Sequence, residues 1–404
     1  MRCKLEQKIK TKRVLYFDGL RGLMALIVAY GHFLGETKLF MLSHYESAIP
    51  SSIVGFYKVT ETTPFIFTIN GNFATTVFFI LSGCVLLNAF KANNSFIAAF
   101  VRRFLRLGIP VFISCLIGFV MIKYGLRSDY TEGVTFDEVI KQGILTLYTA
   151  DFYTRYLNPV IWSMSTEFMG SIMLLIIAHS GKNNKNRGLL VLFIMTLLSY
   201  GYYVFFMLIG AWISIIFSDE SIKNRLNNDS VALIIFALSI VVLLQSCPAF
   251  YPWGSLYIPS DFFVTPLVNL QSYSIAGMYP YHSYEFIRGI GGGLLLFLVI
   301  TNQRVRGFLS LNIIQFFGKI SFSLYLIHWL VLASIIMPIN IFIYNNTSNV
   351  YFSIILSFIA FVFFTITCSI LFYNNVELVA INYSRKMGKV IDEFIGRLNN
   401  NIFV

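Results

Sequence analysis

Charged residues are scarce in this sequence. They make up 12% of its 404 residues, whereas about a quarter of the residues in a soluble globular domain are charged. Hydrophobic residues account for 57% of the chain. This balance excludes an ordinary soluble domain and indicates a protein whose solvent is lipid.

Cysteine is also rare, and its spacing excludes two kinds of site. The five cysteines include no CxxC pair, so the sequence supports neither a disulfide framework nor a zinc site. We interpret them as packing residues and expect no metal. The sequence also lacks an internal repeat, a low-complexity tract and an appended soluble domain. The cysteines are Cys3, Cys84, Cys115, Cys247 and Cys368.

Apolar stretches near the roughly 20 residues that a bilayer core requires recur along the whole chain. The first contains Asp18 and Arg21 and is followed by no small-residue cleavage site, so we expect it to be retained rather than removed as a signal peptide. The predicted fold is all-α, a polytopic integral membrane protein with about ten transmembrane helices. The predicted spans are 14–34, 73–90, 105–123, 160–179, 187–200, 202–217, 231–247, 285–301, 317–337 and 351–373.

The formal net charge of +11 has two interpretations. Nucleic-acid binding requires lysine and arginine gathered on a solvated surface. Here 21 of the 30 lysine and arginine residues fall in alternate segments, which places the amino and carboxyl termini in the cytosol by the positive-inside rule. We therefore expect no nucleic-acid partner. Residues 1–13 form a basic cytosolic N-terminus, 14–373 the transmembrane domain and 374–404 a basic cytosolic tail.

The same charge distribution bears on the run 189–217. One long helix broken at Tyr200 and Gly201 would place the tail outside. Two short spans keep the tail in the cytosol, and we favour this interpretation.

Ionisable residues inside spans are expensive and mark functional sites by default. Arg21 and His32 are eleven residues apart, which is about 16 Å along a helix and almost three whole turns. Both side chains therefore share one face, which we expect to line a protein interior or a channel. The alternatives are that Asp18 and Arg21 snorkel to the cytosolic interface and that His32 is a hydrogen-bonded structural histidine.

Three further features place ionisable residues in or beside the predicted spans. Arg102, Arg103 and Arg106 either anchor the helix by the positive-inside rule or clamp phosphate oxygens with their guanidinium forks. Glu167 lies about two turns inside the fourth span and must be paired, hydrogen-bonded or protonated, so structural pairing with an arginine or histidine is a serious alternative. His328 lies near the middle of the ninth span.

These features leave three classes of protein open. Intramembrane ionisable residues also occur along the proton and ion pathways of transporters, although the repeats that transporters often carry are not evident here. A glycan-binding or assembly scaffold is a second alternative. An enzyme is the third, and two histidines, a glutamate and an arginine within apolar helices favour it.

The motif order resembles the membrane acyltransferase-3 family, which includes sugar and lipopolysaccharide O-acetyltransferases. The similarity extends from residue 16 to about residue 330, and the five blocks together are far more specific than any one of them. The matching blocks are FDGLRGLMALIVAYGHF, FFILSG, RRFLRLGIP, WSMSTEF and GKISFSLYLIHW. WSMSTEF departs slightly from the commoner WSL-type block.

The resemblance implies a membrane-bound O-acyltransferase, with acetyl transfer favoured. The donor would be cytosolic acetyl-CoA and the acceptor a hydroxyl of a surface glycan, such as lipopolysaccharide O-antigen or another exopolysaccharide. A lipid or small-metabolite acceptor is the alternative within this class. The expected location is a bacterial inner membrane. The expected partners are the acyl-CoA donor, a free or lipid-linked glycan and membrane lipid, with homo-oligomerisation left open.

The resemblance also implies roles for individual residues. His32 and Arg21 match the family's proposed catalytic pair. The cytosolic RxxR element matches Arg103 and Arg106, which together with Arg102 would bind the donor. His32 would act as the general base, with Glu167 or His328 orienting the acceptor or tuning the imidazole, and a covalent acyl-histidine is left open. The predicted catalytic residues are His32, Arg21, Glu167 and His328, and the predicted substrate-binding residues are Trp162 and Ser163.

Overall fold

The computed structural model describes residues 14–45, 49–92, 95–127, 133–148, 156–246, 281 and 283–402. Within these ranges the regular structure is helical, apart from one isolated bridge between Asn228 and Asn302. The all-α polytopic fold is therefore confirmed. The helices are α1 (Leu15–Tyr45), α2 (Ser51–Thr62), α3 (Gly71–Lys91), α4 (Phe96–Lys123), α5 (Phe136–Gly143), α6 (Trp162–Ser180), α7 (Lys185–Leu198), α8 (Val204–Ile216), α9 (Glu220–Leu226), α10 (Val231–Gln245), α11 (Ser283–Thr301), α12 (Gln303–Leu309), α13 (Asn312–Val331), α14 (Met337–Thr347), α15 (Val350–Phe372) and α16 (Leu378–Ile402).

Two pairs of these helices are continuous. A π-helical turn at Leu332–Ile336 joins α13 to α14, and a second at Tyr373–Glu377 joins α15 to α16. The second join carries the helix through the segment 374–402 that sequence analysis treated only as a tail. Seven helices in the described ranges are long and apolar enough to cross a membrane, or eight if the bent pair α8 and α9 forms one span. The count of ten spans and the cytosolic termini stay predictions.

The run 189–217 forms two helices, α7 and α8. They are separated by a turn at Gly201, whose φ of 92° lies in the left-handed region that glycine adopts without strain. Both interpretations of this run place a break here, so the topology with two spans stays a prediction.

Short polar residues define where several of the apolar helices begin. The side chains of Asn70, Ser95, Ser230 and Asn349 each accept a hydrogen bond from a backbone amide in the first turn of α3, α4, α10 and α15. Such caps satisfy amides that have no partner within the helix. The caps explain why α4 begins at Phe96, nine residues before the apolar span predicted from hydropathy.

The most enclosed helix is α3, of whose most apolar window 72% is buried, against 22% for the helix that contains α15 and α16. The helix α3 packs against α1, α6, α8 and α11, and α1 packs in turn against α13. The α1 and α13 pair carries the histidines singled out by the sequence. The helix α16 packs along α4, the helix that carries the arginine cluster.

Candidate functional site

Two histidines from different helices meet inside the bundle. Nδ1 of His32 in α1 lies 2.7 Å from Nε2 of His328 in α13, and the two rings stack at 5.0 Å between centroids with a 6° angle between their planes. The indole of Trp329 packs edge-on against His32 at 5.1 Å. His328 is fully buried, whereas His32 is only partly buried. The structure therefore brings together two residues that lie 296 positions apart in the chain.

A glycine contact sets the register of the two helices. A Cβ built on Gly22 would lie 2.5 Å from the backbone nitrogen of Gly318, and one on Gly318 would lie 2.3 Å from the carbonyl oxygen of Asp18. Only glycine permits so close an approach of backbones. Gly22 and Gly318 are separated by the same 296 positions as the two histidines. His32 and His328 each lie ten residues, or about 15 Å, beyond this glycine contact. The register therefore places the two histidine rings side by side.

The hydrogen bonds define which ring nitrogens carry protons. Nδ1 of His328 lies 3.0 Å from the carbonyl oxygen of Leu324. A carbonyl oxygen only accepts, so Nδ1 of His328 is the protonated nitrogen, and Nε2 of the neutral ring carries the lone pair. Nδ1–H of His32 then donates to this lone pair. In this arrangement Nε2 of His32 is left with a free lone pair, which is the form a general base requires.

The arginines of α4 diverge instead of forming one clamp. Arg103 pairs with Glu167, and its Nε donates to Ser171 Oγ at 2.7 Å. Because the Arg103 and Glu167 side chains are only 11% and 14% exposed, they form a largely buried pair between α4 and α6. Arg102 turns the other way, toward α16. Glu167 thus occupies the structural pairing that sequence analysis held as its alternative.

Arg106 has a different environment from its neighbours. It is exposed and makes no hydrogen bond to any residue that the structure describes. Arg21, Arg103 and Glu377 are close enough to interact with it electrostatically. Arg21 itself forms an ion pair with Asp18 at 3.4 Å. Arg21 and Arg106 therefore share a positively charged region at one end of the bundle, about 16 Å along α1 from His32.

Of the two predicted substrate-binding residues, Ser163 is linked to the helix of His328, whereas Trp162 packs elsewhere. Ser163 Oγ is 2.8 Å from Tyr325 Oη, which donates to the carbonyl oxygen of Val160 at 2.9 Å. The Tyr325 ring is 6.0 Å from that of His328. Trp162 packs against Tyr203 at 5.3 Å. The start of α6 is thereby joined to α13 at Tyr325, three residues before His328.

Buried acidic residues were missed by sequence reasoning. Glu377 accepts a hydrogen bond from Ser323 Oγ at 2.5 Å, and Glu285 lies 4.0 Å from Arg288 within α11. Asn72 also donates to Glu285, at 3.2 Å. The signal for the pair in α11 was present, since an acid and a base three positions apart in an apolar segment face the same way. Glu377 gave no comparable signal, because it follows the last predicted span.

Three of the five cysteines lie within the described residues. Cys84 and Cys115 are buried and Cys368 is partly buried, while Cys3 and Cys247 lie outside the described residues. Within the described ranges, no group of three or more histidine, cysteine, aspartate or glutamate side chains is arranged to hold a metal ion.

Comparison with known proteins gave one match. The family model of acyltransferase 3, described as an acyltransferase domain, matches residues 14–374. No curated protein and no solved structure matches the chain. The matched region includes the histidine pair, the arginines of α4 and Glu167, and it ends before α16.

Proposed function

This chain belongs to the acyltransferase-3 family and is a membrane acyltransferase, and on that premise we propose that it is an O-acetyltransferase. The proposed donor is acetyl-CoA at the cytosolic face, and the proposed acceptor is a hydroxyl group of a surface glycan. The observation that carries this proposal is the hydrogen-bonded pair of His32 and His328, which leaves one imidazole nitrogen free in a partly buried position.

The donor enters from the side where the arginines lie. The adenosine and pyrophosphate of coenzyme A cannot enter lipid, so they stay at the inner end beside Arg106 and Arg21. Guanidinium groups suit phosphate oxygens because they donate two parallel hydrogen bonds. The slim pantetheine arm then extends between helices and delivers the thioester to His32.

Acetyl transfer requires His32 to accept one proton from the acceptor and then to donate it to the leaving thiolate. Nε2 of His32 takes the proton of the acceptor hydroxyl as its oxygen attacks the thioester carbonyl. The carbon–sulfur bond then breaks, and the departing thiolate takes the proton back from the imidazolium. Throughout, Nδ1–H of His32 donates to His328, which fixes the orientation of the ring and stabilises its charged form. This role resembles that of the third group in a catalytic triad.

The remaining polar residues position these groups. Arg103 and Glu167 hold α4 against α6, so the arginine helix keeps its place relative to the acceptor side. Ser163 and Tyr325 connect the start of α6 to the helix of His328. We propose that this connection orients the acceptor, which would approach from the outer side above Trp162.

The acceptor assignment is tested on the glycans themselves. Surface polysaccharides are isolated from cells with and without the gene and compared by mass spectrometry. The proposal predicts that one acetyl group per modified sugar is lost with the gene and restored by the wild-type chain. Unchanged glycans, together with an acetylated lipid or metabolite that depends on the gene, would move the assignment to that other acceptor.

A further inference from the structure

The helix α16 holds one arginine of α4 in a fixed position. Arg102 Nη1 lies 3.0 Å from Asp392 Oδ2. A Cβ built on Gly388 would lie 2.4 Å from Cγ of Arg102, so the arginine side chain crosses α16 where glycine leaves room for it. These two contacts lie one turn apart on α16 and fix its register against α4.

The same register brings a second arginine beside Arg106. Glu377 and Arg385 interact with Arg106, while Gly388 and Asp392 contact Arg102, so the two helices run antiparallel. Arg106 lies one turn after Arg102 in α4. Because the helices are antiparallel, the matching turn of α16 lies before Gly388, and it contains Arg385. Because Arg385 and Asp392 are seven positions apart, they share one helical face. Arg385 therefore lies on the side of α16 that is turned toward Arg106.

The charges in this region are paired unevenly. Three of the arginines form ion pairs with carboxylates. The pairs are Arg21 with Asp18, Arg103 with Glu167 and Arg102 with Asp392. Glu377 accepts from Ser323. Arg385 is exposed and, like Arg106, has no hydrogen bond or ion pair with any described residue. Glu377 offsets part of the repulsion between Arg106 and Arg385. An anion bound between the two guanidinium groups would remove more of it.

We propose that α16 completes the donor site, with Arg385 and Arg106 together binding phosphate groups of the acyl-CoA. Arg385 lies beyond the residues 14–374 that match the family, so the family match does not include it. Asp392 and Gly388 act as positioning residues, because they hold α16 in the register that brings Arg385 to Arg106. This inference rests on the proposed use of an acyl-CoA donor and adds a residue to that donor's site.

The test compares two donors that differ only in the phosphate-bearing part. Full-length wild-type protein and the variants Arg385→Gln and Lys386→Gln are assayed with acetyl-CoA and with acetyl-pantetheine, which lacks the nucleotide and its phosphates. Lys386→Gln is the matched control, since it removes the same charge from the adjacent position, which faces away from α4. The readout is the ratio of kcat/KM for the two donors.

We expect Arg385→Gln to lower this ratio about tenfold, chiefly by raising KM for acetyl-CoA, because a charge-assisted contact to phosphate is lost. Lys386→Gln should leave the ratio within twofold of wild type, and Arg385→Lys should restore part of the loss. A variant that merely folds poorly loses activity with both donors and leaves the ratio unchanged.

An unchanged ratio in Arg385→Gln, or an equal fall in Lys386→Gln, would overturn the inference while leaving the proposed function standing. A wild-type protein that uses neither thioester would overturn the proposed function itself, and the donor site with it. Direct binding of coenzyme A to the purified variants, measured by calorimetry, gives a second readout that needs no acceptor. Equal affinities of the wild-type and Arg385→Gln proteins would likewise refute the inference.

Discussion

At the scale of single residues, the two histidines are not equivalent. His328 is fully buried and bound to a backbone carbonyl, whereas His32 is partly buried and one of its ring nitrogens has no hydrogen-bond partner among the described residues. In the proposed mechanism His32 therefore transfers the protons and His328 orients its ring. Their separate substitutions should show this dependence.

His32→Ala should lower acetyl transfer about 10²–10⁴-fold, the usual contribution of a general base. His328→Ala should also lower it, and the double variant should be no worse than His32→Ala, because residues that act as a unit are not additive. The rates are measured in isolated membranes at matched protein levels. His179→Ala is the control and should stay within twofold of wild type, since His179 lies outside the site and packs against Phe96. Additive losses in the double variant would refute the coupling of the two rings.

The pair of Arg103 and Glu167 should show a structural effect. Removing one partner of a buried ion pair leaves an uncompensated charge that typically costs about 3–5 kcal/mol. Arg103→Ala should therefore lower the thermal midpoint of the purified protein, and the double variant Arg103→Ala/Glu167→Gln should recover much of the loss. If Arg103→Ala were as stable as wild type but bound acetyl-CoA weakly, Arg103 would belong to the donor site instead.

At the scale of helices, the register of α1 against α13 is the feature on which the histidine pair depends. Nothing in the sequence pattern indicates that Gly22 meets Gly318, because glycines are common in membrane helices. The separation shared by the glycines and the histidines becomes visible only when the two helices are seen together. A helix pair in contact at two points 15 Å apart tolerates little displacement at either.

Gly22→Ala should separate α1 from α13, because the added Cβ would lie 2.5 Å from the Gly318 nitrogen. A displacement of about 1 Å at the histidines is enough to lower the rate about a hundredfold. Gly35→Ala in the same helix is the matched control, since a Cβ there meets no atom within 4 Å. Both variants are assayed for acetyl transfer after their insertion into the membrane has been checked. Equal activity of the two would show that this contact does not set the site.

Hydropathy predicted the apolar part of each long helix but not the ends. The predicted first span stopped at residue 34, whereas α1 continues to Tyr45, and the predicted ninth span covered only the middle of Asn312–Thr347. A helix can continue through polar residues where protein or the membrane interface surrounds it. Averaged hydropathy falls at such residues, so it does not detect that the helix continues. The helix α2 was missed for the same reason, because its apolar and polar residues alternate around a short helix.

At the scale of the whole molecule, the charges of the loops predict the orientation in the membrane. The turn between α6 and α7 carries Lys182 and is predicted to face the cytosol, while the turn at Ser348 between α14 and α15 is predicted to face outward. An epitope inserted at Asn183 should be cleaved by protease only in inverted vesicles, and one inserted at Ser348 only in intact spheroplasts. Cleavage on the reversed sides would invert the topology and place the arginines outside.

Sequence analysis identified most of the candidate site but not its connections. Arg21, His32, Glu167 and His328 were recognisable because ionisable residues are rare in apolar helices. Their partners come from other helices, as Arg103 does for Glu167, and spacing along one helix cannot reveal these contacts. The helix α16 was not predicted, because the positive-inside rule already explains a basic segment after the last span.

The central proposal is that His32 transfers acetyl groups from cytosolic acetyl-CoA to a glycan outside. It is tested by supplying radiolabelled acetyl-CoA to the cytosolic face of inverted membrane vesicles that carry the glycan, with wild-type or His32→Ala protein. We expect ester-linked label in the glycan with wild type and none above background with His32→Ala. Near wild-type labelling by His32→Ala, with insertion confirmed, would refute the proposal.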